Sequence, residues 1–260
     1  EYASSQVQGD IDKEYTADTM TIPGFTYDET VQETVKSGIL TANGLELKLY
    51  YTRNSYPYEV RYLEEGTGKV LHAPRTDTEK YGKVISESAI DIDNYDKVDP
   101  TTVTINIKIE EDVTTARINI ITFYYTEQEV TINYKVVGPA GCGVVSPDSE
   151  SVKVVTGQAA GSLATPYPNF RFVGWYKDEA CTQSVSGDNW LVGNKIVPQK
   201  VDGKNEAATY YAKFEDDLAN LTITKSGANM DIDENQTFIF NITGPNGYTG
   251  RVVIRGNESV

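Results

Sequence analysis

ITFYYTEQEVTINYKVV, residues 121–137, sets two strand-like segments end to end with only Glu127 and Gln128 between them. Tyr124 and Tyr125 close the first segment, and period-two alternation restarts at once in the second. The same wording occurs in LKLYYTRN (47–54), followed by YPYEVRYL, and in TYYAKFED (209–216), followed by ANLTITKSG. Internal repetition of this kind marks small units strung in series. The connectors RNSYP, EQ and DDLA are too short to act as flexible linkers, so seams are expected near Asn54, Glu127 and Asp216 with limited hinge freedom. Alternation sends one ring of each tyrosine pair inward and the other outward, where it would pack on the next module. Tyr50, Tyr51, Tyr56, Tyr124, Tyr125, Tyr210 and Tyr211 are therefore the candidate inter-module seam residues.

The rest of the chain reads as strands. LELKLYYT alternates Leu45, Leu47 and Leu49 against Glu46, Lys48 and Tyr50. YEVRYLEEGTGKVL reads as a hairpin, with Tyr58, Val60 and Tyr62 inward and a turn at 65–68. TVTINIKI, SVKVVTG, FRFVGWY, ATYYAKF, LTITK and TFIFNIT complete the series. Helical periodicity is confined to DETVQETVKSG (28–38) and the stretch 86–90, both short. The first module lacks an opening hairpin and the last has too few strands to close a sandwich, so both ends read as cut from a longer chain.

Composition agrees. The 260 residues suit two or more domains, and tyrosine (18) is abundant while methionine (2) and histidine (1) are scarce, a usage suited to half-buried pleated surfaces. A net charge of −15, spread along the chain, repels phosphate backbones and anionic lipid headgroups, so nucleic acid and membrane surfaces are poor partners. No apolar run reaches the length of a membrane span.

Little in the sequence carries catalytic chemistry. His72 stands alone at a strand end without a nucleophile elbow. Glu64, Glu65, Glu110, Glu111 and Asp112 fall at turns, where solvated charge is the default for a carboxylate. GTGK (66–69) lacks the residues of a phosphate loop and the helix that would follow it. DIDNYDKVD (91–99) and DIDENQ (231–236) space carboxylates two apart without the glycine and terminal glutamate of a calcium loop. No enzyme activity, cofactor or metal is expected. In FRFVGWYKD, strict alternation sets Phe170, Phe172 and Tyr176 on one face and Arg171, Val173 and Trp175 on the other; Trp175 is assigned to the core. Trp190, between SGDN and LVG, is the better candidate for an exposed ligand contact. Cys142 and Cys181 form a bridge if the chain is secreted and remain two thiols if it is cytosolic.

These residues carry resemblances. YEVRYLEEGTGKVL, KYGKVISESA, NYDKVDP and ITFYYT make 54–126 similar to a mucin-binding-protein-type (MucBP-like) repeat, and 1–53 resembles the C-terminal part of another. FRFVGWYKDEAC and ATYYAKFE make 127–215 resemble an internalin-B-type repeat, and 216–260 resembles the start of a Cna-B-type domain. The resemblance implies tandem small β-grasp-like (ubiquitin-like) modules with at most short helices, then a partial Ig-like β domain. It implies a bacterial, Gram-positive, cell-wall-attached extracellular protein, which favours the Cys142–Cys181 disulfide. It also implies an isopeptide-forming role for Lys225, whose partner would lie outside the sequence, as Asn241 and Asn257 do not match its position. The function expected is a non-enzymatic stalk or adhesin segment, monomeric, whose partners are its neighbouring modules; the alternative is a module binding mucin-type glycans or a host surface protein.

Overall fold

The computed structural model describes residues 4–110, 118–187, 189–223, 235–244 and 247–255. The chain divides into one compact unit, Glu1–Asp216, and a second, Asp217–Val260. All regular structure among the described residues is β, without an α-helix. The fold is mainly β, in tandem small modules.

In residues 4–53 the strands are short: β1 (Glu14–Thr16), β2 (Phe25–Tyr27), β3 (Ser37–Ile39) and β4 (Tyr51–Arg53), with β1 paired to β3 and β2 to β4, both antiparallel. Leu45, Leu47 and Leu49 are half-buried and Glu46, Lys48 and Tyr50 exposed, as the alternation requires, but the ladder is limited to β4 and one isolated bridge, Val35 to Lys48. The expected helix at 28–38 does not form. The Asp28 carboxylate instead accepts from the Thr30 amide (3.1 Å) and hydroxyl (2.6 Å), and Val35 and Lys48 exchange two backbone hydrogen bonds of 2.8 Å. A weak local propensity yields to long-range pairing. The stretch 86–90 is corrected in the same way: it opens on the end of a strand, β7.

The second module runs through β5 (Ser55–Glu64), β6 (Val70–Lys80), β7 (Val84–Ser88), β8 (Tyr95–Lys97), β9 (Thr102–Asn106) and β10 (Ile120–Glu127). Its main sheet has the order β6-β5-β10-β8, with the first and last strands parallel at its centre; β7 and β9 form a separate antiparallel pair. Tyr58, Val60 and Tyr62 of β5 face Ile121, Phe123 and Tyr125 of β10 within one core, completed by Ile85, Ala89 and Ile107. The turn after β5 is held by the Gly68 amide on the Glu64 carbonyl (2.9 Å) and by the Thr67 hydroxyl on the Glu64 carboxylate (2.6 Å). Glu64 is thereby buried rather than solvated, a correction to the turn reading above.

The third module repeats this plan. Its strands are β11 (Glu129–Val137), β12 (Gly143–Ser146), β13 (Ser149–Lys153), β14 (Ser162–Pro166), β15 (Phe170–Tyr176), β16 (Leu191–Val192), β17 (Lys195–Ile196) and β18 (Ala208–Asp216). The main sheet, β13-β11-β18-β15, again puts the first and last strands parallel in the middle. A second sheet, β12-β14-β17-β16, contributes the inward-facing Val145, Ala164 and Ile196 to the same core. The two modules thus share a mixed sheet with a parallel central pair, flanked by small antiparallel pairings.

Trp175 is in the core, 1 % exposed, and its indole N–H donates to the Asn194 carbonyl at 2.9 Å. Strict alternation does not hold along β15, because a bulge between Phe172 and Gly174 shifts its register on β18. Phe170 and Phe172 therefore pack against the same core as Trp175 instead of opposing it. In the second unit, β19 (Thr237–Thr243) and β20 (Thr249–Arg255) form an antiparallel hairpin. Lys225 and Asn257 lie outside the described residues, as does most of DIDENQ.

Candidate functional site: the joints between modules

Strand β4 ends at Arg53 and β5 begins at Ser55, so Asn54 alone joins the first two modules; β10 ends at Glu127 and β11 begins at Glu129, so Gln128 alone joins the next two. Each joint residue is fixed on both sides. The Asn54 amide donates to the Gly24 carbonyl (2.8 Å) and its carbonyl accepts from the Tyr81 amide (2.8 Å). The Gln128 amide donates to the Asn94 carbonyl (2.9 Å) and its carbonyl accepts from the Val154 amide (2.9 Å). Side chains repeat the pattern: the Thr26 hydroxyl donates to Asn54 Oδ1 (2.7 Å), and Gln128 Nε2 donates to Asp96 Oδ1 (2.7 Å).

The acceptor carbonyl comes from a turn that the sequence contains three times, IPGF (22–25), IDNY (92–95) and YPNF (167–170). In each, the aromatic amide donates back to the first residue's carbonyl, at 3.0 to 3.1 Å, and the third residue has positive φ (Gly24 +80°, Asn94 +67°, Asn169 +72°). Glycine and asparagine are the residues that tolerate this conformation. The aromatic then opens a strand antiparallel to the end of the closing strand: Phe25 opposite Arg53, Tyr95 opposite Glu127, Phe170 opposite Asp216. This turn-plus-aromatic word, rather than the tyrosine pairs, is the sequence signal for the joints.

The seam tyrosines divide differently from the expectation. Tyr125 (0 % exposed) and Tyr210 (8 %) are inward and Tyr124 (45 %) and Tyr50 (37 %) outward, while Tyr51 and Tyr211 are half-buried. The inward rings fill their own cores. Tyr125 donates to the Ile90 carbonyl at 2.9 Å, and Tyr210 stacks on Tyr134 with centroids 6.2 Å apart. Tyr51 meets Tyr27 edge to face and accepts from the Met20 amide. Of the tyrosines named for the seams, Tyr56 takes part through Tyr81: Tyr81 meets Tyr56 (6.4 Å) on its own module and Phe25 (6.0 Å) across the joint, both edge to face. Gly24 lies so close that a Cβ there would stand 2.3 Å from the Tyr81 ring.

The second joint is polar. Glu127, 8 % exposed, projects from β10 into the third module, where its carboxylate accepts from the Val155 amide (2.5 Å), the Thr156 amide (2.7 Å) and the Thr156 hydroxyl (2.6 Å). Burial opposes its ionisation, but the Thr156 hydroxyl and the Thr156 and Val155 amides, with nearby Lys153, outweigh burial and hold it below the usual glutamate range. The turn that it caps is strapped from the other side by Asn205, whose Nδ2 donates to the Lys153 (2.8 Å) and Gly157 (3.0 Å) carbonyls, and by Lys200 Nζ on the Val155 carbonyl (2.5 Å).

The remaining candidates find structural places. Trp190 is half-buried against the third core, edge to face with Tyr210 (6.0 Å) and under Lys177 (5.5 Å), rather than an exposed platform. His72 is exposed and meets the Tyr62 ring edge-on at 5.4 Å. The Cys142–Cys181 disulfide is corrected: both are free thiols. Cys142 is buried in the third core beneath Gly138, whereas Cys181 sits in the turn after β15, directed at the Glu179 carbonyl, with burial raising its pKa. In DIDNYDKVD, Asp91 pairs with Lys97 (2.8 Å) and Asp96 with Gln128, and among the described residues no three His, Cys, Asp or Glu side chains are grouped to hold a metal ion.

A scan against protein-family models and a search of curated proteins each return no match to this chain.

Proposed function

We propose that the chain is a non-enzymatic, tension-bearing segment of an extracellular bacterial surface protein, a stalk whose modules carry force from one joint to the next. The observation that supports this reading is the direction of the central strands relative to the joints. Force entering the second module at Asn54 reaches the start of β5, and force leaving at Gln128 departs from the end of β10. These strands are parallel neighbours paired over six positions, from Ile120 opposite Glu59 to Tyr125 opposite Glu64. Pulling the two joints apart therefore loads the whole ladder in shear, so its hydrogen bonds resist together instead of opening one by one. The third module repeats the device with β11 and β18, paired from Ile132 opposite Ala208 to Val137 opposite Lys213. One-residue joints, each hydrogen-bonded on both sides, suit this role by passing load without a slack linker.

Single-molecule pulling in a Cys142→Ala, Cys181→Ala background tests it. Attachment through cysteines introduced at Asn54 and Gln128 should require a markedly higher unfolding force than attachment at Asn54 and Tyr81, which unzips the β5–β6 hairpin. Equal forces in the two geometries would remove the basis for a tension-bearing role.

A further inference from the structure

The two joints share their backbone hydrogen bonding but carry side chains of opposite charge at one equivalent position. Arg53 and Glu127 occupy the same position, each opposite the aromatic that follows a positive-φ turn residue and each one residue before the joint. Tyr81 and Val154 are likewise equivalent, since each donates its amide to the joint carbonyl, so Gly82 corresponds to Val155. At the second joint the chain places its own carboxylate in this spot and satisfies it with hydrogen bonds. At the first joint the same spot holds a guanidinium. Arg53 Nη1 stands 3.9 Å from the point a Cβ on Gly82 would occupy, and the guanidinium carbon lies 5.9 Å from the Phe25 ring centre.

Beside Arg53 is an open cavity of about 260 Å³, lined by Phe25, Tyr81, Asn106, Ile107 and Lys108 together with Gly82. Among the described residues no carboxylate lines it, in a chain of net charge −15. Arg53, Lys108 and Asn106 are exposed, and among the described residues Arg53 and Lys108 form no ion pair and the Asn106 amide makes no side-chain hydrogen bond. Two cationic residues and an asparagine thus line one cleft together with two half-buried aromatic residues. A guanidinium fork matches a carboxylate in a bidentate way, an ammonium adds a second charge, and an amide can both donate and accept toward hydroxyls. Aromatic walls with a few convergent polar groups are the usual make-up of a small-ligand site, and the volume suits a ligand somewhat smaller than drug-sized.

We infer that the cleft at the first joint binds a carboxylate-bearing saccharide, with its acid group between Arg53 and Lys108 and its ring against Tyr81 and Phe25. The acid arrives from outside at the position where Glu127 supplies one from within at the second joint. The inference stands independently of the tension-bearing reading.

Titration of the isotope-labelled full chain with methyl glucuronoside tests it, with methyl glucoside and acetate as controls and amide shifts as the readout. Saturable shifts at Arg53, Tyr81, Gly82 and Lys108 are expected with the glucuronoside, weakened about fivefold by Lys108→Ala, a change outside the joint's hydrogen bonds. Arg53→Gln should weaken binding at least as much. Absence of saturable shifts, equal binding of the uncharged glucoside, or identical titrations of wild type and Lys108→Ala would overturn the proposal. Acetate binding as tightly as the glucuronoside would overturn the saccharide assignment by reducing the cleft to a simple anion site.

Discussion

Glu127 combines burial, charge and position in one side chain. Its pKa is lower folded than unfolded, so it stabilises the protein above the ordinary glutamate pKa, and that contribution is lost as pH falls through the depressed folded value. Three charge-assisted hydrogen bonds set the scale, so Glu127→Ala should cost on the order of 2 kcal/mol near neutral pH. The readout is built in, because the chain's two tryptophans, Trp175 and Trp190, both sit in the third core that Glu127 helps to close. Urea unfolding followed by their fluorescence should show wild type converging on Glu127→Ala as the buffer drops below about pH 4. A difference that persists unchanged in acid would mean that the carboxylate's charge contributes nothing. At this scale the alternation in FYYT and TYYAKF calls for one inward ring in each pair without naming it, and the inward ones are Tyr125 and Tyr210. It could not name their neighbours, because a ring that faces inward from a strand fills its own core whenever that core is incomplete without it.

Strand β15 shows how one residue reassigns a whole face. Period-two reading placed Trp175 opposite Phe170 and Phe172, and the bulge after Phe172 brings all three to one core. Deleting Val173 should remove the bulge and leave Phe170, Phe172 and Trp175 on one face, because Gly174, Trp175 and Tyr176 already pair with β18 as the direct continuation of Phe172. The expected result is an unchanged tryptophan emission maximum and a stability change well below the several kcal/mol of removing a buried aromatic. A red-shifted emission with a loss on that scale would show that the bulge itself, and not the register on β18, holds Trp175 in the core. Gly174, in FVGWY, was the visible hint of a bulge, since an isolated glycine inside a strand pattern often marks one. The two short helical patterns failed for the opposite reason. Their periodicity was local, while Val35 and the 84–88 segment had distant partners, Lys48 and β9, that satisfied more backbone groups.

Across residues 4–216 the modules are linked by single residues whose backbone groups are claimed from both sides. Two extra residues, Gly-Ser, inserted after Gln128 would leave both cores intact but break the coincidence of the Asn94 and Val154 contacts. Hydrogen exchange at the Gln128 and Val154 amides should then accelerate at least about tenfold, while the core amides of β5 and β18 keep their protection. Unchanged protection at the joint would show that its two contacts do not depend on the length of the connector. The sequence by itself determined the β character, the repetition, the tight connectors and the inward rings, because each follows from side-chain period and turn chemistry within a few residues. Tertiary structure alone decided that the first and last strands of each module lie parallel and adjacent, that Glu127 reaches across to Val155 and Thr156, and that Arg53 faces an open cleft instead. Those pairings join residues distant in the chain, and their partners are selected by packing and by satisfying backbone hydrogen bonds, which no local pattern records.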